Sequence, residues 1–179
     1  MRIAVIADTH LPRRGSVLPG PCRERIAGAD LLVHAGDLAD MAALAHLRGL
    51  GPPLVAVHGN VDSPAVRAAL PATAEADLDG LRLAVVHDAG PEPGRLRRLR
   101  ARFPRADVVV FGHSHIPHLA LHGGMTALNP GSPTDRRRQP RHSMAEILLG
   151  PAGAPQVRFW DLDPPGGPLP AELVRAPRG

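Results

Sequence analysis

One short stretch of this chain constrains its fold more than any other. The apolar run Leu31-Leu32-Val33 is followed by His34, by the small residues Ala35 and Gly36, and then by the carboxylate of Asp37. A short apolar run of this kind predicts a strand that is buried on both faces of a sheet. Other apolar runs end in the same way, each on side chains that could hold a metal ion. The residues that follow these runs are Asp8, His10, Asp37, Asn60, His87, His113 and His115.

These side chains are expected to meet, although they lie far apart in the sequence. The carboxyl ends of parallel strands share one edge of a sheet, which is where α/β proteins bind ligands. Glycine precedes Asp37, Asn60 and His113, and it allows the backbone to turn sharply and to approach a bound group closely. The set exceeds the four ligands of a tetrahedral ion, so the pattern favours two ions that share one carboxylate.

The rest of the sequence predicts a mixed α/β protein. Its first half alternates strands with short helices, and its second half is a run of strands. The pair Asp79-Gly80, between two strand-like runs, is a strong signal for a β-hairpin. Two packed sheets with helices outside would satisfy this order. The predicted helices are 22–29, 41–50, 66–70 and 95–103, and the predicted strands of the second half are 73–78, 81–87, 116–121, 125–129, 144–149 and 157–162.

Length and composition predict a single domain over residues 1–163. A chain of 179 residues with 44% hydrophobic residues can bury a substantial core. Residues 164–179 are rich in proline and glycine, and we expect them to form a loosely held tail.

Charge and cysteine content bound the partners and the compartment. All basic residues are arginine, so the net charge of +4 is only a weak sign of nucleic-acid binding, which we do not favour. The single cysteine, Cys22, indicates a reducing compartment. No signal peptide or membrane span is recognised in the sequence. We expect a cytoplasmic protein with no membrane partner, and the sequence leaves homo-oligomers open.

Taken in order, the motifs resemble those of the calcineurin-like metallophosphoesterases, most closely their small bacterial and archaeal phosphodiesterase branch. The resemblance covers roughly residues 1–149. Any one motif is weak evidence, whereas the complete ordered set is specific. The motifs are Asp8-Thr9-His10, Gly36-Asp37-Leu38-Ala39-Asp40, Gly59-Asn60-Val61-Asp62, His87, Gly112-His113-Ser114-His115 and Asn129-Pro130-Gly131-Ser132.

The resemblance implies a four-layer αββα sandwich of two mixed sheets flanked by helices. It also implies that Asp37 bridges two divalent metal ions. The other ligands would divide into Asp8, His10 and His115 for one ion and Asn60, His87 and His113 for the other. The implied reaction is hydrolysis of a small phosphate ester, above all a phosphodiester, by a hydroxide that bridges the ions, without a covalent intermediate. Mixed imidazole and carboxylate ligands favour Mn, Fe, Ni, Zn or Co over Mg and Ca, and among these we expect Mn.

Two positions depart from the family pattern. Many phosphatases of this superfamily have a histidine after the asparagine, which is thought to protonate the leaving group. This chain has Val61 there, and Asp62 therefore has no such histidine to orient. His87 is followed by Asp88 where relatives usually have Gly-His. The missing histidine favours leaving groups that need little protonation, and therefore small phosphodiesters over phosphoproteins.

Several further residues have two interpretations. Asp40 and Asp62 either orient ligating groups or cap a helix or a turn. His118 and Arg138 either contact the substrate, together with Asn60, or are a structural histidine and an exposed loop residue. Neither alternative is excluded by the sequence.

Two other classes of function also remain open. A non-catalytic interaction scaffold of the same fold would be expected to have eroded metal ligands, whereas this ligand set is complete. A nuclease could use the arginines of the predicted helix 95–103 to hold a nucleic-acid backbone.

Overall fold

Strands dominate the protein, whose computed structural model describes residues 1–15, 17–150 and 155–175. Within these ranges the strands are β1 (Arg2–Ile6), β2 (Leu31–His34), β3 (Leu54–Ala56), β4 (Thr73–Leu78), β5 (Leu81–Val86), β6 (Val108–Val110), β7 (His118–His122), β8 (Met125–Asn129), β9 (Ser143–Leu148), β10 (Gln156–Asp161) and β11 (Gly167–Pro168). The helices are α1 (Gly20–Ala27), α2 (Met41–Arg48), α3 (Pro64–Ala69) and α4 (Arg95–Arg102), and a 3-10 turn covers Ala171–Leu173.

The strands form two mixed sheets. The first has the order β11-β10-β9-β1-β2-β3, in which β1, β2 and β3 are parallel. The second has the order β4-β5-β6-β8-β7, in which β5, β6 and β8 are parallel. The loops that carry the candidate ligands leave the carboxyl ends of β1, β2 and β3 in the first sheet and of β5 and β6 in the second. Both sheets therefore contribute to one site.

The sheets pack face to face, and alternate residues of a strand serve different layers. On β1, Ile3 and Val5 belong to the core between the sheets, whereas Ala4 and Ile6 pack towards the helices. This alternation follows from the two-residue repeat of a strand. All four side chains are fully buried, which explains why the run is apolar throughout rather than alternating with polar residues.

Helices cover the outer face of each sheet. Ile26 of α1 and Leu44 of α2 pack with Leu32 on the outside of the first sheet. Leu99 of α4 packs with Val109 on the outside of the second. The layers are therefore helix, sheet, sheet and helix, which confirms the αββα sandwich expected from the sequence. Among the described residues, no helix is both long and apolar enough to cross a membrane.

Most predicted elements agree with the structure to within about two residues. The Asp79-Gly80 hairpin is confirmed: Leu78 pairs with Leu81 across the turn, and both turn residues have positive φ, 51° and 87°, as a type I′ turn requires. Helices α1 and α3 begin earlier than predicted, at Gly20 and Pro64, because proline is tolerated in the first turn of a helix.

The C-terminal tail differs from the expectation. As far as residue 175 it is packed rather than loosely held: β11 pairs with β10, and Leu169 is 7% exposed within the core between the sheets. The Arg175 backbone N–H donates to the Pro117 carbonyl at 2.8 Å. The expectation was wrong because it depended on the proline and glycine content of the segment, whereas a few apolar residues between them pack against the core. The division of the chain into a domain over 1–163 and a tail stays a prediction.

Candidate metal centre

The loops after the parallel strands bring most of the candidate ligands into two groups. In the Asp8 cluster, ligand atoms lie within 4.8 Å of one another on Asp8, His10 and His115. In the Asp37 cluster, the same holds for Asp37, His87 and His113. Metal binding by these residues stays a prediction, but side chains from distant segments do share two small volumes.

Asn60 belongs to one of these groups, and Asp37 faces both. The Asn60 side-chain oxygen lies 3.0 Å from His87 Nε2 and 2.9 Å from His113 Nδ1, which adds Asn60 to the Asp37 cluster. Asp37 Oδ2 lies 3.4 Å from His87 Nε2 and 3.8 Å from His10 Nε2 in the Asp8 cluster. The Asp37 carboxylate therefore faces both clusters.

The backbone is left-handed at five of the candidate ligands. This conformation is uncommon outside glycine, and each instance costs about 1–3 kcal/mol. Because it departs from the extended backbone of the preceding strand, it redirects the side chains that follow the strand ends. The values of φ are 56° for Asp8, 47° for His10, 62° for Asp37, 67° for His113 and 58° for His115.

Hydrogen bonds to backbone carbonyls orient two of the imidazoles. His87 Nδ1 donates to the carbonyl of Ala35 at 2.8 Å, and His115 Nδ1 donates to the carbonyl of Asp135. In the neutral form of both rings the proton stays on Nδ1, so that Nε2 can bind a cation. In His113 it is instead Nδ1 that points into the cluster, towards the side-chain oxygen of Asn60.

The structure separates the two carboxylates that had alternative interpretations. Asp62 accepts hydrogen bonds from the backbone N–H groups of Asp37 at 3.1 Å, Ala39 at 2.6 Å and Gly59 at 2.6 Å. It therefore ties together the loops after β2 and β3. Asp40 caps α2, accepting from the Ala43 N–H at 2.9 Å, and it has no hydrogen bond to a candidate ligand within the described residues.

Two glycines lie against ligands from other segments. A Cβ atom on Gly36, whose φ is +90°, would lie 2.7 Å from His87 Nδ1. A Cβ atom on Gly59 would lie 2.1 Å from Asp37 Oδ1. Both distances are far shorter than van der Waals contact, so any side chain at these positions would displace a candidate ligand.

Burial has a large effect on the protonation of the clusters. It raises the pKa of Asp8 to about 8 and lowers the pKa of His115 to about 4. Burial alone would also raise the pKa of Asp37, but its hydrogen bond with His87 and the charge of that imidazole hold it at about 2. Without a cation, Asp8 is therefore neutral near pH 7, whereas Asp37 is ionised.

The donor set fits a pair of divalent cations. Asp8 Oδ2 is buried and has no hydrogen-bond partner among the described residues. The Nε2 atoms of His10 and His115 lie 3.2 Å apart, and the second of these is 3.6 Å from Asp8 Oδ1, so potential ligand atoms converge on one position. Imidazole, carboxylate and amide groups suit Mn, Fe, Co, Ni or Zn. A cation beside Asp8 would also supply a positive charge that stabilises the ionised form of this buried carboxylate.

The raised pKa of Asp8 predicts an unusual pH dependence for the metal-free protein. The unfolded chain releases this proton near the ordinary aspartate pKa of 3.8, and the folded chain releases it near pH 8. Stability therefore falls as pH rises through this window, because the folded state binds more protons. We expect Asp8→Asn to raise the metal-free melting temperature at pH 9 by about 3 °C or more, with a smaller gain at pH 5.

Asp37→Asn is the matched control for this measurement. Because the hydrogen bond and charge of His87 lower the pKa of Asp37 to about 2, ionised Asp37 stabilises the fold above pH 4 as long as His87 is protonated, and its neutralisation should lower the melting temperature at pH 5. Thermal melts in chelator at both pH values test the pair. A change of the same sign in both variants at pH 5 would contradict the assignment.

Within the described residues, the two further candidates for substrate binding make no hydrogen bond or ion pair with the clusters. His118 is 4% exposed and lines a separate cavity of about 490 Å³ with Arg95 and Arg97, whose described lining includes none of the candidate metal ligands. Arg138 is exposed and makes no hydrogen bond or ion pair among the described residues. Their roles in substrate binding stay predictions. Burial raises the pKa of Asp8, and the charge of the neighbouring Arg137 partly opposes this rise.

The loop after β8 supports the site in a way that sequence reasoning did not assign. Ser132 Oγ donates to the carbonyl of Asp8 at 2.8 Å, and Thr134 Oγ1 donates to the carbonyl of Thr9 at 2.5 Å. The same loop supplies the Asp135 carbonyl that orients His115. The Asn129-Pro130-Gly131-Ser132 motif marks its start and was the signal available in the sequence.

Comparison with known sequences identifies related proteins. A model of the calcineurin-like phosphoesterase superfamily domain matches residues 1–149. A probable metallophosphoesterase of Methanocaldococcus jannaschii is 35% identical over 137 residues, which cover 75% of this chain and 69% of the relative. A probable metallophosphoesterase of Methanothermobacter thermautotrophicus is 34% identical over 136 residues, which cover 75% of this chain and 78% of the relative.

Solved structures share the fold. Vps29 from Entamoeba histolytica, complexed with Zn²⁺, superposes with a TM-score of 0.79 at 21% identity, over 94% of this chain and 97% of that one. A Thermotoga maritima protein solved by NMR superposes with a TM-score of 0.67 at 30% identity, over 88% of this chain and 96% of that one. The likeness to Vps29 is one of fold alone.

Proposed function

The chain belongs to the calcineurin-like phosphoesterase superfamily, and we propose that it is a metal-dependent phosphodiesterase that hydrolyses small phosphodiesters. The observation that carries the proposal is the position of the Asp37 carboxylate between two groups of potential ligands. It lies 3.4 Å from His87 Nε2 on one side and 3.8 Å from His10 Nε2 on the other. A carboxylate in this position can serve two cations at once.

In this proposal Asp37 is shared, and the remaining ligands divide between two sites. The first would be held by Asp8, His10 and His115, and the second by Asn60, His87 and His113. Two divalent ions, when bound, would lower the pKa of a coordinated water and neutralise charge on phosphate oxygens. The clusters contain only two carboxylates, Asp8 and Asp37, so the loaded cleft would attract an anionic substrate.

The exposure of individual ligands supports an entry side for that substrate. Most of the candidate ligands are buried, but His113 and Asn60 are exposed, so a phosphate would approach over these two residues. Val61 lies next to Asn60 and is 41% exposed, and its side chain has no proton to give to a leaving group. A diester with a weakly basic leaving group needs little such help, which supports phosphodiesters as substrates.

The test is hydrolysis by the metal-free protein after loading with Mn, Fe, Co, Ni or Zn in turn. We expect Mn to give the highest rate, and kcat/KM for bis(p-nitrophenyl) phosphate to exceed that for p-nitrophenyl phosphate by about tenfold or more. Preference for the monoester would contradict the substrate class. Absence of turnover of either ester with every metal would contradict the enzyme assignment.

A non-catalytic interaction scaffold is the second candidate, and the likeness of fold to Vps29 supports it. Metal binding alone does not separate the two, because the Vps29 of Entamoeba histolytica was itself solved as a zinc complex. A scaffold predicts bound metal without turnover, whereas the phosphodiesterase predicts both. The chromogenic diester assay therefore distinguishes them directly.

A further inference from the structure

A basic groove starts at the Asp37 cluster and leads away from it along α4. A cavity of about 290 Å³ is lined by Asn60 and His87 at the cluster and by Arg67 and Arg102 beyond it. A second cavity of about 270 Å³ shares Arg102 with the first and adds Arg98. We call these two adjoining cavities the basic groove.

Arg67 is held at the end of the groove that is nearest the cluster. Its Nε donates to the carbonyl of Asp62 at 3.0 Å, and one of its terminal nitrogens donates to the carbonyl of Asn60. A guanidinium carries five N–H donors, so further donors remain for a ligand in the cavity that Arg67 lines. Its charge is thereby fixed beside a candidate metal ligand.

Arg102 lies further along the groove, in the last turn of α4. It is exposed, and within the described ranges its guanidinium makes no hydrogen bond or ion pair; it lies 5.4 Å from the ring centre of Phe103. The acidic group of the groove is Asp88, whose Oδ1 accepts from the Gly90 N–H at 2.7 Å. Arg67, Arg98 and Arg102 line the groove together with this one carboxylate, so the groove carries a net positive charge.

We propose that the basic groove binds a second phosphate of the substrate. The inference rests on the proposed function, which puts the scissile phosphate at Asn60 and His87, where the groove begins. The preferred substrates of the protein are then small phosphodiesters that carry a further phosphate on one side of the scissile bond. The planar guanidinium fork of arginine matches phosphate oxygens well. Each cavity is near the lower size limit of ligand pockets, which favours a nucleotide-sized group over a long chain.

Thymidine dinucleotides test this proposal when they differ only in a terminal phosphate. We compare kcat/KM at low salt for the dinucleotide without one, with a 5′-phosphate and with a 3′-phosphate. One of the phosphorylated forms should be hydrolysed with a kcat/KM about tenfold higher. In Arg102→Ala this gain should fall to about twofold or less. Arg97→Ala is the matched control, because it lies on the same helix but lines the separate His118 cavity, and it should keep the full gain.

Two outcomes separate this inference from the proposed function. Equal kcat/KM for all three dinucleotides would overturn the second-phosphate site and leave the phosphodiesterase assignment standing. Failure to hydrolyse any diester with any metal would instead count against the proposed function. In that event the groove is tested by binding alone.

Equilibrium binding gives that independent readout. Calorimetry with the metal-loaded protein compares a nucleoside 3′,5′-bisphosphate with a nucleoside 5′-monophosphate, and we expect about tenfold tighter binding of the bisphosphate, lost in Arg102→Ala. Equal affinities would overturn the proposal. The second measurement is the salt dependence of binding to a long single-stranded oligonucleotide. A slope that requires more than about three phosphate contacts would overturn the proposal, because the groove would then bind a nucleic-acid chain rather than a small substrate.

Discussion

Replacing Asp37 with alanine should lower the rate of phosphodiester hydrolysis at least about a hundredfold. The loss of a group that merely orients a metal ligand typically costs about 10–100-fold, and Asp37 faces both clusters, 3.4 Å from His87 Nε2 and 3.8 Å from His10 Nε2. Its removal should therefore weaken the capture of both ions. Steady-state kinetics with the chromogenic diester, together with metal content by mass spectrometry, measure the two effects.

His34→Ala is the control for this loss. His34 lies inside β2, where its position in an apolar run predicts a structural histidine. Burial lowers the pKa of this imidazole to about 3, so it is neutral, and its Nε2 lies 3.0 Å from Thr9 Oγ1. Its replacement should cost about 2 kcal/mol of stability or more while hydrolysis at saturating metal falls less than tenfold. An equal loss of activity in both variants would contradict the site assignment.

Gly59→Ala should have nearly as large an effect, although it removes no ligand. The added Cβ would lie 2.1 Å from Asp37 Oδ1 and 2.6 Å from the Asp37 backbone nitrogen. Because backbone cannot yield by that much without wider rearrangement, Asp37 must move, and one methyl group should reduce metal content and hydrolysis about as much as Asp37→Ala does.

Gly20→Ala provides the steric control for Gly59→Ala. Gly20 is in the first turn of α1, and a Cβ atom there would meet nothing within 4 Å. Alanine at this helical position should be neutral or slightly stabilising, with activity unchanged. If Gly59→Ala retained normal metal content and rate, the close packing around Asp37 would not matter for the site.

The framework of the site could be predicted because it depends on local pattern. Each apolar run specifies a buried strand, and the residue that follows it lies at the carboxyl end whatever the distant neighbours are. The positions of Asp37, His87 and His113 beyond β2, β5 and β6 follow from this rule alone. The hairpin at Asp79-Gly80 was predictable for the same reason, since its backbone geometry is set by the two turn residues.

Other features depend on contacts between segments and could not be predicted from local pattern. Spacing gives no reason for His113 and His115 to belong to different clusters, and this division was implied only by the family resemblance. Both residues have left-handed backbone, which spacing does not predict either. Arg67 reaches the site only because the helix that carries it packs beside the loop of Asn60. The packed tail depends on Leu169, Leu173 and Val174, which pack against the core between the sheets from a segment rich in proline and glycine.

The three amide hydrogen bonds that Asp62 accepts have a consequence for metal exchange. They fix the loops of Asp37 and Gly59 through contacts that involve no ion. Ion capture therefore requires little ordering of the chain. Little of the free energy gained from the metal–ligand contacts is then offset by a loss of chain entropy, and the affinity for the ion is correspondingly higher. A cleft assembled in advance can be emptied by a chelator and refilled without passing through an unfolded state, so its resident metal would follow the supply in the surrounding solution.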